Sequence, residues 1–185
     1  SPASLNQIDW NNLIKYGDLV SYYAGLTEIR KNFAPFTCPD KTSVDNMVFF
    51  ENTDKHVVGY TLQNTQTADK QWEKVACIFN SDTEKDAEVT IEGKDLPGEW
   101  VIIANREDAG AEKLGEVSGN TVTVPKTSAV ILVDKESFER VGLASSGTLK
   151  ETLKNASAQE ETQPPSKADE KEEEQDSGFM LPVLI

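Results

Sequence analysis

Gly119-Asn120-Thr121-Val122-Thr123-Val124-Pro125-Lys126-Thr127-Ser128-Ala129-Val130-Ile131-Leu132-Val133 is the stretch that decides the fold class. Residues 121–124 alternate threonine with valine, the period-two pattern of a strand with one wet face. Past the Pro125 turn, Val130 to Val133 is continuously apolar, which places that strand in the middle of a sheet. Working upstream, β-branched or aromatic runs recur at Met47–Asn52, Val57–Gln63, Glu73–Phe79, Ala87–Glu92 and Glu99–Ala104. Turn-forming residues separate them: Thr53-Asp54-Lys55, Asn80-Ser81-Asp82, Gly93-Lys94-Asp95 and Pro97-Gly98. Short strands at this spacing, with no helical period between them, predict a mostly-β domain, an antiparallel Greek-key β-sandwich. Its expected core is Val48, Phe50, Val58, Tyr60, Val75, Cys77, Phe79, Val89, Ile91, Val101, Ile103, Val122, Val124, Val130 and Leu132. Under that reading Phe79→Ala costs about 3 kcal/mol.

Before the strands the period changes. Leu19, Tyr22, Tyr23, Leu26, Ile29, Arg30 and Phe33 recur at steps of three and four, with Asp18 as an N-cap, Arg30 and Lys31 at the C-terminal end of the dipole, and Pro35 just beyond. This predicts an amphipathic helix from Asp18 to Phe33. Tyr22 and Tyr23 are expected to be packing residues on it. A shorter helical turn carrying Trp10, Leu13 and Ile14, capped by Asp9, is expected ahead of it.

After Leu143 the composition breaks again. Residues 144–178 hold nine acidic and four basic residues and no aromatics, with Gln163-Pro164-Pro165-Ser166 followed by Ala168-Asp169-Glu170-Lys171-Glu172-Glu173-Glu174. Such a segment cannot bury enough apolar surface to offset its ordering entropy, so a disordered acidic linker is expected. Phe179-Met180-Leu181-Pro182-Val183-Leu184-Ile185 carries no charge. Seven residues cannot span a bilayer, which needs about 20, so this stretch reads as the start of a membrane anchor.

Charge and ligand chemistry narrow the function. Lys+Arg 18 against Asp+Glu 32 gives a net charge of −14, a field that repels phosphate backbones, so no nucleic-acid partner is expected. Two cysteines, Cys38 and Cys77, and one histidine, His56, are too few for a structural zinc site. Whether the two cysteines are bridged stays open. Asp82, Glu84, Asp86 and Glu88 lack the glycine and terminal glutamate of a calcium loop and read as a solvated strand edge. His56 reads as a solvated turn residue. No cofactor and no metal are expected.

The first 36 residues carry a resemblance. Asn6-Gln7-Ile8-Asp9-Trp10, then Tyr22-Tyr23-Ala24-Gly25-Leu26-Thr27-Glu28-Ile29-Arg30-Lys31-Asn32-Phe33 and Ala34-Pro35-Phe36, are similar to the end of the catalytic barrel in bacterial type I pullulanases, glycoside hydrolase family 13 debranching enzymes. The resemblance implies that residues 1–36 are the last loop and helix of a (β/α)₈ barrel and 37–143 a C-terminal all-β sandwich, and the composition of the tail adds 144–178 as the linker and 179–185 as the start of a possible anchor. The resemblance further implies a secreted parent that hydrolyses α-1,6 bonds in pullulan, starch or glycogen, and the tail, read as tether and anchor, would hold that parent at the cell surface. The catalytic carboxylates would lie on barrel strands ahead of Ser1, so the catalytic residues expected within this chain are none, and the chain alone is expected to be inactive.

The resemblance places Asn6, Asp9 and Trp10 on the rim of the sugar cleft, where amide and carboxylate groups bond hydroxyls and an indole stacks on a pyranose. The competing reading is that Asp9 caps a helix and Trp10 packs beneath it. Trp72, Trp100 and Tyr60 could form an aromatic platform for α-glucan, but alternation places large aromatics inward, and packing is the default. The alternative for the whole chain is a free-standing carbohydrate-binding or surface-adhesion module. An isolated helix of this kind is expected to pack on the sandwich or leave apolar surface bare.

Overall fold

The computed structural model describes residues 11–141. The elements run α1 (Asn11–Lys15), α2 (Gly17–Asn32), a 3₁₀ turn (Ala34–Phe36), α3 (Lys41–Asp45), β1 (Val48–Phe49), β2 (Val57–Gln63), β3 (Lys74–Asn80), β4 (Ala87–Thr90), β5 (Glu99–Ala104), β6 (Gly115–Ser118), β7 (Thr121–Val124), β8 (Ser128–Asp134) and α4 (Lys135–Val141). The linker, the anchor segment, Asn6, Asp9 and Trp10 lie outside the described residues. No helix among the described residues is long and apolar enough to cross a membrane.

The protein is mostly β, with antiparallel sheets and a few helices. Six strands form one sheet in the order β1-β2-β3-β8-β5-β6, and β4 and β7 form a separate pair. β3 and β8 are central, joined in register from Val75↔Val133 to Asn80↔Ser128. One face of the large sheet is covered by the small sheet and part of the other by helix. On one, Ala76, Ile78, Trp100, Val130 and Leu132 pack against Ala87, Val89, Ile91, Val122 and Val124 from the small sheet and its flank. On the other, Leu62, Val75, Cys77, Val101, Ile103 and Val133 share a core with Ile29 and Phe33 of the α2 region. Two-sided burial is why β3 is almost continuously buried, whereas β4 and β7 alternate strictly, with Glu88, Thr90, Thr121 and Thr123 in solvent.

Helix α2 is therefore a third layer, docked on the large sheet. The pairing of β5 with β8 shifts register between Ile102 and Ala104. A bulge of this kind bends a strand and ends its pairing, and the chain leaves the sheet into a loop over residues 105–111. The Asn105 side-chain oxygen accepts from the backbone N–H groups of Glu107 and Asp108 at 2.8 and 2.9 Å and sets the turn. Onto this loop α2 closes. Tyr22 Oη donates to the Asn105 carbonyl at 2.8 Å, the Ala111 N–H donates to Glu28 Oε2 at 3.3 Å, and Gly25 lies so close to Ala109 that any Cβ would sit 1.8 Å from its carbonyl oxygen.

Several expectations need correction. Asp18 is not the N-cap. Tyr16 holds that position without a side-chain hydrogen bond, and Asp18 lies in the first turn, where its charge meets the helix dipole. Tyr23 does not pack: its side chain is 63% exposed, because only the face carrying Tyr22, Gly25, Leu26 and Ile29 turns inward. Val58 and Phe79, expected in the core, are 56% and 44% exposed. They do share the inward face with Leu62 and Val75 by alternation, but they stand toward the ends of their strands away from the helix-covered core.

Candidate functional site

The Trp72 and Trp100 expectations separate cleanly in the structure. Trp100 is fully buried beneath the small sheet, its Nε1–H donating to Asn120 Oδ1 at 3.2 Å. Trp72 is buried in the helix-side core and stacks on Phe138 of α4 with centroids 6.3 Å apart. Neither indole can meet a ligand, so no platform forms from Trp72, Trp100 and Tyr60.

Tyr60 instead belongs to another set of rings. β1 and β2 pair Phe49↔Tyr60, and β2 and β3 pair Val58↔Phe79 and Tyr60↔Cys77. All of these residues fall on the helix side of the sheet. The Phe49 and Tyr60 centroids are 5.8 Å apart and those of Tyr60 and Phe79 are 6.5 Å apart. Phe49 is 60% exposed. Tyr60 is half-buried between its neighbours, and burial, with the Cys77 thiol as hydrogen-bond partner, pushes its phenol up. This uncharged row was missed in the sequence because alternation assigns a face without saying how far the covering helix extends along it.

At one end of the row the ladder continues past β2. Ser81 N–H and Oγ–H both donate to the His56 carbonyl at 2.9 Å, which ties the Asp54–Val57 turn to the end of β3. His56 is exposed. The Asp82 carboxyl is held below its ordinary range by the backbone N–H groups of Glu84 and Lys85, with a smaller Coulombic contribution from His56.

The remaining polar groups organise backbone. Glu92 accepts from the N–H groups of Glu51 and Asn52 at 3.0 Å, tying the end of β1 to the chain after β4, and its carboxyl is lowered for that reason. Asp82 and Asp86 accept from loop N–H groups rather than facing a common point. Among the described residues no group of three His, Cys, Asp or Glu is placed to hold a metal ion. Lys74 is buried with its ammonium donating to the carbonyls of Lys94 and Asp95 at 2.6 and 2.7 Å, a strap across the 94–95 turn. Asp134 caps α4 through the Ser137 N–H at 2.7 Å, and its second oxygen accepts from the Lys74 N–H and the Ser137 hydroxyl. Cys38 and Cys77 are both free thiols, one exposed and one buried, so they are not bridged. Burial pushes Cys77 up to about 12, which keeps it a thiol at neutral pH and an inert one.

Residues 44–108 match the family model described as "Pullulanase, all-beta domain". The fold is similar to that of a pullulanase from Bacillus acidopullulyticus, at 24% identity and a TM-score of 0.59 over 70% of this chain and 15% of that one. It is also similar to a type I pullulanase from Bacillus subtilis str. 168 complexed with maltose, at 21% identity and a TM-score of 0.57, with coverages of 72% and 18%. A pullulanase from Anoxybacillus sp. LM18-11 complexed with maltotetraose is similar at 20% identity and a TM-score of 0.54, again with coverages of 72% and 18%. The chain spans less than a fifth of the length of each of these proteins. Through its all-β domain it is related to pullulanases.

Proposed function

We propose that this chain is the C-terminal part of a pullulanase-type debranching enzyme, its β-domain serving as a structural accessory to a preceding catalytic barrel and α2 being the last helix of that barrel. The observation that carries the reading is the match of residues 44–108 to the pullulanase all-β domain. The two-faced character of α2 supports it. One face is docked on the sheet, while Tyr16, Leu19 and Tyr23 on the other, with Leu13 of α1, are 40% or more exposed. A helix apolar on two sides fits a position between two packed bodies.

The preceding barrel supplies two carboxylates about 5 Å apart and cleaves α-1,6-glucosidic bonds with retention of configuration. Asn6, Asp9 and Trp10 stand on its rim and contact the sugar. The parent is extracellular and held at the cell surface, with residues 144–178 as tether and 179–185 opening a membrane anchor. The test is a graft: the region of the Bacillus acidopullulyticus pullulanase that matches this chain is replaced by residues 1–143. Pullulan hydrolysis by the graft, absent when the region is simply deleted, supports the reading. A soluble graft no more active than the deletion overturns it.

A further inference from the structure

We propose that the loop of residues 64–73 is a clasp that holds the C-terminal end of α2, α3 and α4 as one unit, so that the three open together, with Asn64 and Gln71 as its positioning residues. The clasp rests on the geometry. That it keeps α2 in place for a barrel rests on the reading of the parent given above.

Apolar burial gives α2 little hold, since of its 16 residues only Gly25 and Ile29 are buried. α3 and α4 have five and seven residues, well under the roughly 12 at which a helix becomes even marginal without tertiary partners. All three meet the same loop, which joins β2 to β3. Its ends are tied by the Asn64 N–H, which donates to the Glu73 carbonyl at 2.7 Å. The Asn64 side chain, in a residue 1% exposed, closes it from inside. Its oxygen accepts from the N–H groups of Gln66 and Thr67 at 3.1 Å, and its amide donates to the Trp72 carbonyl at 3.1 Å and the Thr67 hydroxyl at 3.0 Å. That hydroxyl in turn donates to Gln71 Oε1 at 2.7 Å. A compact loop with paired ends, packed by its own side chains, keeps its shape as a unit.

The loop reaches each helix. The Gln71 amide donates to the Lys31 carbonyl at 3.0 Å, and its oxygen accepts from the Ala34 N–H at 2.9 Å, so it pairs backbone groups that a helix end and the start of the next turn leave open. The Thr65 hydroxyl lies 3.2 Å from both oxygens of Asp40, the N-cap of α3, and 3.2 Å from the Ser43 hydroxyl. Arg140 of α4 donates to the Ala68 carbonyl at 2.7 Å, Phe138 stacks on Trp72, and the Ser137 hydroxyl accepts from the Glu73 N–H at 3.0 Å. Gln71 makes no hydrogen bond to α3 or α4 among the described residues. Its loss therefore reaches those helices only through the loop.

Hydrogen exchange of the 185-residue chain, read by NMR under native conditions, tests the clasp. Amides of residues 29–32, 44–46 and 138–141 should open with one shared free energy, below that of β3 and β8. Gln71→Met, which removes both bonds at similar volume, should raise exchange in all three groups by the same factor, about tenfold, and leave β4 and β7 unchanged. Asn64→Ala should give the same pattern at about a hundredfold. If Asn64→Ala is unfolded by circular dichroism, Gln71→Met still decides, because Gln71 is only half-buried. Exchange raised in α2 alone, by unequal factors in the three helices, or nowhere, overturns the clasp. In the graft, Gln71→Met should lower the temperature at which pullulan hydrolysis is lost, and an active graft without that shift overturns the link to the barrel. An inactive unaltered graft refutes the parent reading, whereas uncoupled exchange refutes only the clasp.

Discussion

Replacing Gly25 by alanine tests whether α2 is part of this domain's core. At an exposed helical position the change gains up to about 1 kcal/mol, because glycine carries the larger entropy cost and alanine the best propensity. Here a Cβ would lie 1.8 Å from the Ala109 carbonyl oxygen and 2.4 Å from its carbon. Both are backbone atoms in the loop fixed by Asn105, so no rotamer change relieves the contact. Reaching ordinary van der Waals distance requires α2 to lift by roughly 1.5 Å, which loosens Ile29 and Phe33, at 2% and 0% exposure, from the sheet. Overpacking of this kind costs about 1–3 kcal/mol, so after the propensity gain the net loss should be about 1–2 kcal/mol. Urea unfolding followed by fluorescence of the buried tryptophans measures it. Thr27→Ala, on the exposed side of the same helix, should change stability by less than about 0.5 kcal/mol. A Gly25→Ala chain more stable than the parent would refute the docking of α2.

Phe79→Ala should cost less than about 1 kcal/mol, against about 2–5 kcal/mol for Leu132→Ala in the two-sided core; equal losses in urea titrations would contradict the exposure of the ring row. In the folded protein a thiol reagent at pH 8 should modify Cys38 rapidly and Cys77 only as the chain unfolds, and two equally fast thiols would contradict the burial of Cys77. Asp40, Asp82 and Glu92 are held below the ordinary carboxylate range by hydrogen bonds, from Ser43, from Glu84 and Lys85, and from Glu51 and Asn52 respectively. A lowered folded-state value stabilises above the unfolded carboxylate pKa of about 4 and is lost as pH falls through the folded value. Urea midpoints should therefore drop below about pH 4, and Asp82→Asn with Glu92→Gln should flatten that drop; an unaltered pH profile would contradict these contacts.

The strand pattern was legible because local chemistry dictates it. Val57–Gln63, Glu99–Ala104 and Thr121–Val124 stand where alternation and turn residues put them. Gly115–Ser118 was missed, since four residues opening on glycine and only partly buried carry almost no periodic signal. α4 was missed because seven residues give two turns, although Asp134, capping Ser137, was a readable start signal. Single-face alternation on β3 correctly grouped Val75, Cys77 and Phe79 but hid Ala76 and Ile78 beneath the small sheet. How far a helix covers a sheet face is a tertiary property, and for that reason alternation put Phe79 in the core although it is 44% exposed, while the inward reading of Trp72 and Trp100 holds.

On the proposed function, this β-domain serves a retaining α-1,6-glucan hydrolase whose catalytic carboxylates reside elsewhere in the parent polypeptide. Release of reducing ends from pullulan, with the anomer of the first product followed by NMR, tests it most directly. The complete reading frame containing this chain should release reducing ends with retained configuration, and the 185 residues alone should release none. Turnover by the 185 residues alone, or a full-length protein inert toward pullulan, starch and glycogen, would contradict the claim.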